Sequence, residues 1–139
     1  MKNKILIFAI LMSLYTHNIL AQCSGNNSNT TKPTSIGIII YSSDAETLWN
    51  AFRFANYSKT QGDTVSVFLL GKGVELDSLV KTKNNIKEQT DIFTQNGGTI
   101  LACGTCLRNR NIFDPKICIF SSMIDLYDLV RKNRIVLTF

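Results

Sequence analysis

From Ile36 onward, short apolar runs alternate with stretches whose apolar residues recur at helical spacing. The runs cover residues 36–41, 65–70, 99–102, 117–120 and 135–139 and are rich in Ile, Val, Leu and Phe. They are apolar at consecutive positions, as in strands covered on both faces within a parallel sheet. Between the first two, Leu48, Trp49, Phe52 and Ala55 form one helical stripe, with Ser43 and Glu46 at capping-box spacing before it and Gly62 after it. A second helical region spans 76–95, with a break at Asn84 and Asn85. It packs through Leu79, Val80, Ile86 and Phe93 and stops at Gly97 and Gly98. A last helix over 123–132 presents Leu126, Tyr127 and Val130, and Ser122 with Asp125 offers its cap. The order β-α-β-α-β-loop-β-α-β predicts a layered α/β sandwich with right-handed crossovers.

The residues before Ile36 follow a different pattern. Lys2 and Lys4 precede an apolar run over 5–14, and a more polar stretch reaches Ala21, the layout of a secretory signal over 1–21. The run is shorter than the ~20 apolar residues of a permanent membrane helix. Cleavage after Ala21 frees the chain at Gln22. Alternatively, Leu20-Ala21-Gln22-Cys23 resembles a bacterial lipobox that would put a lipid on Cys23, although Gln22 stands where a small residue is usual. An uncleaved anchor is the third arrangement. Residues 22–35 are polar and aperiodic, a linker. The domain therefore runs from 36 to 139, and the protein is expected to be exported, either periplasmic or lipid-anchored in the cell envelope.

Composition adds limits. The chain has 139 residues, 45% hydrophobic and 18% charged, enough for one packed domain. Losing the leader removes two of 15 basic residues and none of the 10 acidic ones, leaving 13 against 10 and a net charge of +3. A field that weak argues against a nucleic-acid partner. His17, the only histidine, lies in the leader. The mature chain thus lacks the base of Ser-His-Asp and Cys-His catalysis, and zinc sites that mix Cys with His are excluded with it.

What remains is Cys103-Gly104-Thr105-Cys106, at the end of the third strand and followed by Leu107, Arg108, Asn109 and Arg110. A helical turn beginning near Gly104 would favour a thiolate, and the two arginines would add positive potential. Three readings stand: a reactive thiol, a disulfide redox centre, or two buried core cysteines. Against the second, no tryptophan precedes the pair and no proline lies within it. No metal site is expected, because a single C-x-x-C supplies two ligands and Cys118 falls in a predicted strand as a core residue. Gly71-Lys72-Gly73 lacks P-loop spacing and reads as a turn, though Lys72 is within the reach of an anion in the cleft. The loop over 42–47 lacks the glycine of a flavin-phosphate cradle and reads as a helix cap, so no cofactor is expected. Ligands of such sheets lie beyond the carboxyl ends of the strands, where segments 42–46, 71–75 and 103–111 are expected to converge. Arg131, Lys132 and Arg134 complement the dipole of the last helix.

The run from Ala102 to Arg110 resembles the active loop of DsrE/DsrF-like proteins, and the segments 70–74, 123–129 and 136–139 are similar to other parts of that family's pattern. The resemblance implies a DsrE-like three-layer sandwich of flavodoxin-like topology around a mainly parallel five-stranded sheet. It also implies assembly into homo-trimers or hexamers, and in sulfur-relay members a cysteine that carries sulfur as a persulfide. Cys103 matches that cysteine, Arg110 matches a basic residue of the loop, and Asn111 replaces a usual glycine. The expectation is a sulfur carrier or sulfurtransferase-like protein using Cys103, with Cys106 assisting release and Arg108, Arg110 and Lys72 facing an anionic sulfur donor or a partner sulfur-transfer protein. A thiol-disulfide oxidoreductase and a non-catalytic oligomeric binding domain are the alternatives.

Overall fold

A computed structural model describes residues 32–139. The leader, Cys23, His17 and most of the linker lie outside the described residues. The strands are β1 (Ser35–Ile40), β2 (Thr64–Leu69), β3 (Thr99–Cys103), β4 (Ile119–Ser121) and β5 (Ile135–Thr138). The helices are α1 (Ala45–Thr60), α2 (Leu76–Leu79), α3 (Asn84–Gln95), α4 (Gly104–Arg108) and α5 (Met123–Lys132), with a 3-10 turn over Gly71–Glu75. All pairings are parallel and the strand order is β4-β3-β2-β1-β5. The parallel α/β sandwich expected from the sequence is present. Its order is not flavodoxin's 2-1-3-4-5, so the likeness to flavodoxin stops at layering and strand direction.

The order explains the layers. From β1 to β4 each crossover moves one strand in the same direction, which puts the intervening helices on one face. The return from β4 to β5 passes back across the sheet, and the right-handed rule sends α5 to the opposite face. The registers Ile39↔Phe68 and Phe68↔Leu101 sort the side chains accordingly. Ile36, Ile38, Ile40, Val67 and Leu69 point into the larger core with Leu48, Phe52 and Phe93. Phe52 and Phe93 join α1 to α3 edge to face, centroids 5.8 Å apart at 65°. Asn56 Nδ2 adds a hydrogen bond to the Gln89 carbonyl at 2.9 Å.

The other face has a smaller core of Phe68, Cys103 and Leu129, flanked by Ile39, Leu101 and Leu126. There α5 rests on β1 because residue 37 is glycine: a Cβ at that position would lie 2.5 Å from Leu129 Cδ2.

Three local expectations shift. The cap of α1 is Asp44, not Ser43: its Oδ1 accepts from the Thr47 N–H and the Thr47 hydroxyl, both at 2.8 Å. A carboxylate at the positive helix end is favoured over a hydroxyl. The break in the second helical region precedes Asn84, because the amides of Thr82 and Lys83 both turn back to the Leu79 carbonyl; the asparagines open α3. Finally, β4 begins at Ile119, two residues late. The buried Asp77 carboxylate takes the amides of Lys116 (2.5 Å) and Ile117 (3.3 Å) away from the ladder. The cap of α5 is as expected, a capping box of Ser122 and Asp125.

Candidate functional site

The β3 strand carries Cys103 to the carboxyl rim of the sheet, in register with Ser121. Gly104 lets the chain turn there against β4, since a Cβ would meet Phe120 Cδ1 and the Ser121 carbonyl at 3.2 Å. The helical turn expected near Gly104 is α4, and Cys103 is its N-cap: Cys103 Sγ accepts from the Cys106 N–H at 3.4 Å. Cys106 Sγ in turn accepts from the Gly71 N–H at 3.3 Å. Each sulfur therefore receives a backbone amide, and the two thiols form one relay from the 3-10 turn to the end of β3.

The glycines of that turn make the relay possible. Gly71 adopts a left-handed φ of 54°. At Gly73 a Cβ would stand 2.2 Å from the Ile40 carbonyl oxygen, so only glycine lets the turn press against the end of β1. Tyr41, at that strand end, lies beside Gly71.

Burial divides the cysteines. Cys103 is 4% exposed, Cys106 is half-buried, and Cys118 is buried just before β4. Desolvation pushes the Cys106 thiol above its ordinary pKa, and the Cys103 sulfur reinforces this; the Gly71 amide and the Arg110 charge oppose it. Cys118 is pushed up to about 12, first by burial and then by the Asp77 carboxylate, which leaves it inert as a nucleophile.

The two arginines beside the cysteine loop sit in different settings. Arg110 Nε pairs with Glu75 Oε1 at 2.8 Å, and its Nη1 donates to the Cys106 carbonyl at 3.3 Å. Arg108 Nη2 donates to Thr105 Oγ1 at 3.4 Å. Among the described residues neither guanidinium hydrogen-bonds a sulfur; Arg110 acts on Cys106 through its charge. Lys72 is exposed on the same rim. Of the three segments expected to converge, 71–75 and 103–111 are joined by the Gly71–Cys106 and Glu75–Arg110 contacts. Residues 42–46 instead close the cap of α1, where the Asp44 N–H donates to Ser42 Oγ at 3.0 Å. Asn111 holds φ 57°, the left-handed conformation that asparagine tolerates in place of glycine.

Sequence reasoning missed Glu75 and the Gly71 amide. A lone acid has no spacing signal, and a backbone donor has no side chain to read. Among the described residues no group of three or more His, Cys, Asp or Glu side chains is placed to hold a metal ion.

No curated protein matches the chain. A solved structure of a conserved protein of unknown function from Bacteroides thetaiotaomicron is similar, with a TM-score of 0.63 and 21% identity over 76% of this chain and 95% of that one; at this identity the likeness extends to the fold. The DsrE/DsrF-like family model matches residues 34–139, the whole of the domain that carries the relay. With five parallel strands and a cysteine loop at their carboxyl rim, this chain belongs to the DsrE/DsrF-like family.

Proposed function

We propose that the protein is a sulfur carrier that takes up sulfane sulfur as a persulfide on Cys103. Membership of the DsrE/DsrF-like family connects the chain to sulfur relay. The observation that carries the reading is the position of Cys103 Sγ, 4% exposed at the end of a central strand and capped by the Cys106 amide. The amide donor holds the sulfur in place at the strand end, and burial restricts the partner to a slender sulfane sulfur.

With thiosulfate as donor, the Cys103 thiolate attacks the outer sulfur, the S–S bond of the donor breaks, and sulfite leaves with its electron pair, giving the Cys103 persulfide. The Cys106 thiolate then attacks the inner sulfur. A Cys103–Cys106 disulfide forms and hydrosulfide departs, with the second electron pair; the disulfide is afterwards reduced by an external dithiol. Lys72 and Arg108, exposed on the rim, meet the anionic donor, while Arg110 and Glu75 position the loop. Export by the leader, with a lipid on Cys23 as one variant, would place this chemistry in the cell envelope.

Incubation with thiosulfate or polysulfide followed by intact mass measurement tests the proposal. The expected result is a one-sulfur adduct on wild type that is absent from Cys103→Ser. Wild type without an adduct would sink it.

A thiol-disulfide oxidoreductase is the second reading, favoured by a C-x-x-C whose first cysteine caps a helical turn. It expects a reversible Cys103–Cys106 disulfide with a measurable potential and no sulfur adduct.

A further inference from the structure

The two sulfurs of the pair have different surroundings. Cys103 is buried and packs with Phe68 and Leu129 beneath α5. Cys106 is half-buried at the rim, where its sulfur meets the Gly71 amide. The residues about that second sulfur are open to solvent. Lys72 follows Gly71 and is exposed, Tyr41 beside Gly71 is exposed, and so are Thr105 and Arg108 on α4. Burial that admits a slender sulfane sulfur to Cys103 excludes a thiol carried on a larger molecule.

We propose that reducing equivalents enter the pair at Cys106, from a dithiol that presents an anionic surface around its reactive sulfur. This deepens the sulfur-carrier reading and rests on its last step, the Cys103–Cys106 disulfide; the oxidoreductase reading passes through the same bond.

Access, leaving group and charge agree. In thiol–disulfide exchange the attacked sulfur is selected by access and by the thiolate that must leave. Cys106 is the sulfur that a bulky thiolate can touch. Attack on Cys103 would instead expel Cys106, whose thiol burial pushes above its ordinary pKa, making it a reluctant leaving group. Charge selects the partner. Arg110 already holds Glu75, the acid of the neighbouring turn, at 2.8 Å. Lys72 and Arg108 form no ion pair among the described residues. Arg108 folds back over the start of α4, its Nη1 3.3 Å from where a Cβ on Gly104 would stand and its Nη2 on Thr105 Oγ1. The rim beside Cys106 thus carries two uncompensated cations, which draw an anionic partner.

The exchange has two steps. One thiolate of the dithiol attacks Cys106 Sγ, the Cys103–Cys106 bond breaks, and its electron pair leaves on Cys103, which takes a proton from solvent. The partner's second thiolate then attacks the partner sulfur of the mixed disulfide and expels Cys106 as a thiolate. The Gly71 amide and the Arg110 charge, which both lower the Cys106 pKa, ease that departure. The partner leaves as a disulfide, oxidised by two electrons, and the pair is reduced.

Glutathione, a bulky anionic monothiol, probes the full chain, with each cysteine read by peptide mass mapping. With oxidised glutathione, Cys103→Ser should acquire a mixed disulfide on Cys106 about tenfold faster than Cys106→Ser acquires one on Cys103. Once diamide has closed the wild-type pair, reduced glutathione should reopen it about fivefold faster than its cationic diethyl ester at equal thiolate concentration. That preference should vanish when Lys72→Glu and Arg108→Glu are combined, and shrink in about 0.5 M salt. Equal or faster modification of Cys103 overturns the entry point. Equal rates for glutathione and its ester overturn the anionic partner, and a pair that diamide does not close overturns both. Sulfur uptake on Cys103 is read on the reduced protein with no thiol present, so the adduct and this proposal fail separately.

Discussion

The two faces of one sheet are made from the same strands, yet they do different work. Ile36, Ile38 and Ile40 send their side chains into the thick layer, where Phe52, Phe93 and Leu48 are fully buried. Gly37 and Ile39, one residue out of phase, face the thin layer, where among the described residues a single short helix covers Phe68 and Cys103. Most of the stabilising burial lies on the first face. Because that face holds the strands in register, the second has room to place a thiol under a light roof. Packing redundancy on one side is what permits sparse packing beside the chemistry.

The contrast is broken most severely from the thick side. Phe93→Ala should cost about 3–5 kcal/mol, whereas Leu129→Ala should fall near 2 kcal/mol, since the thin roof can settle into the space. Urea unfolding of both variants measures the difference, and equal losses would mean that the faces are equivalent.

Next in size is Gly73→Ala. The new methyl would meet the Ile40 carbonyl, and relieving that contact should cost about 1–3 kcal/mol. Moving the turn also withdraws the Gly71 amide from Cys106 Sγ. The Cys106 thiol should then titrate still higher and alkylate more slowly at neutral pH than in wild type.

Thiol titration sharpens the comparison without any substitution. Because burial raises the Cys106 pKa, its alkylation at pH 7 should be slower than that of a free thiol and should keep climbing past pH 9, the ordinary thiol value. Cys118, at about 12, should stay silent until the protein unfolds. Mass mapping of alkylated peptides reads both.

The smallest effect comes from acid. Asp44 caps α1 on the thick face and Asp125 caps α5 on the thin one, and hydrogen bonds from Thr47 and from Ser121 and Ser122 hold both carboxyls below their ordinary value. A lowered folded-state pKa means stability that is present above the unfolded value of 3.8 and lost as the pH falls through the folded one. Helix content should therefore decline below about pH 4. Asp125→Asn should abolish only the part that belongs to α5, which hydrogen exchange of the α5 amides would detect.

Much of the fold was legible because strands and helices leave periodic marks. The five apolar runs lie within one or two residues of β1 to β5, and the Ser122–Asp125 box forms as spaced. The misplacements share a cause: a local signal yielded to a distant partner. Asp77 draws the amides of Lys116 and Ile117 from 39 and 40 residues away, and β4 starts late. In the candidate site the strand end, the turn at Gly104 and the left-handed Asn111 were readable. The Gly71 amide on Cys106 and the Glu75 grip on Arg110 were not, because each spans 35 residues and has no spacing signature.

By itself, then, the sequence determined the alternation of elements, the parallel sheet, and a pair of cysteines at a strand end in a domain without histidine. These follow from local periodicity and from composition, which are properties of the chain before it folds. Only the tertiary structure decided that Cys103 is the more buried sulfur, that Cys106 takes its amide from another turn, and that Arg110 is occupied by Glu75. Those facts depend on which segments the strand order brings to one rim, and the order β4-β3-β2-β1-β5 arises from long-range packing that no local pattern encodes.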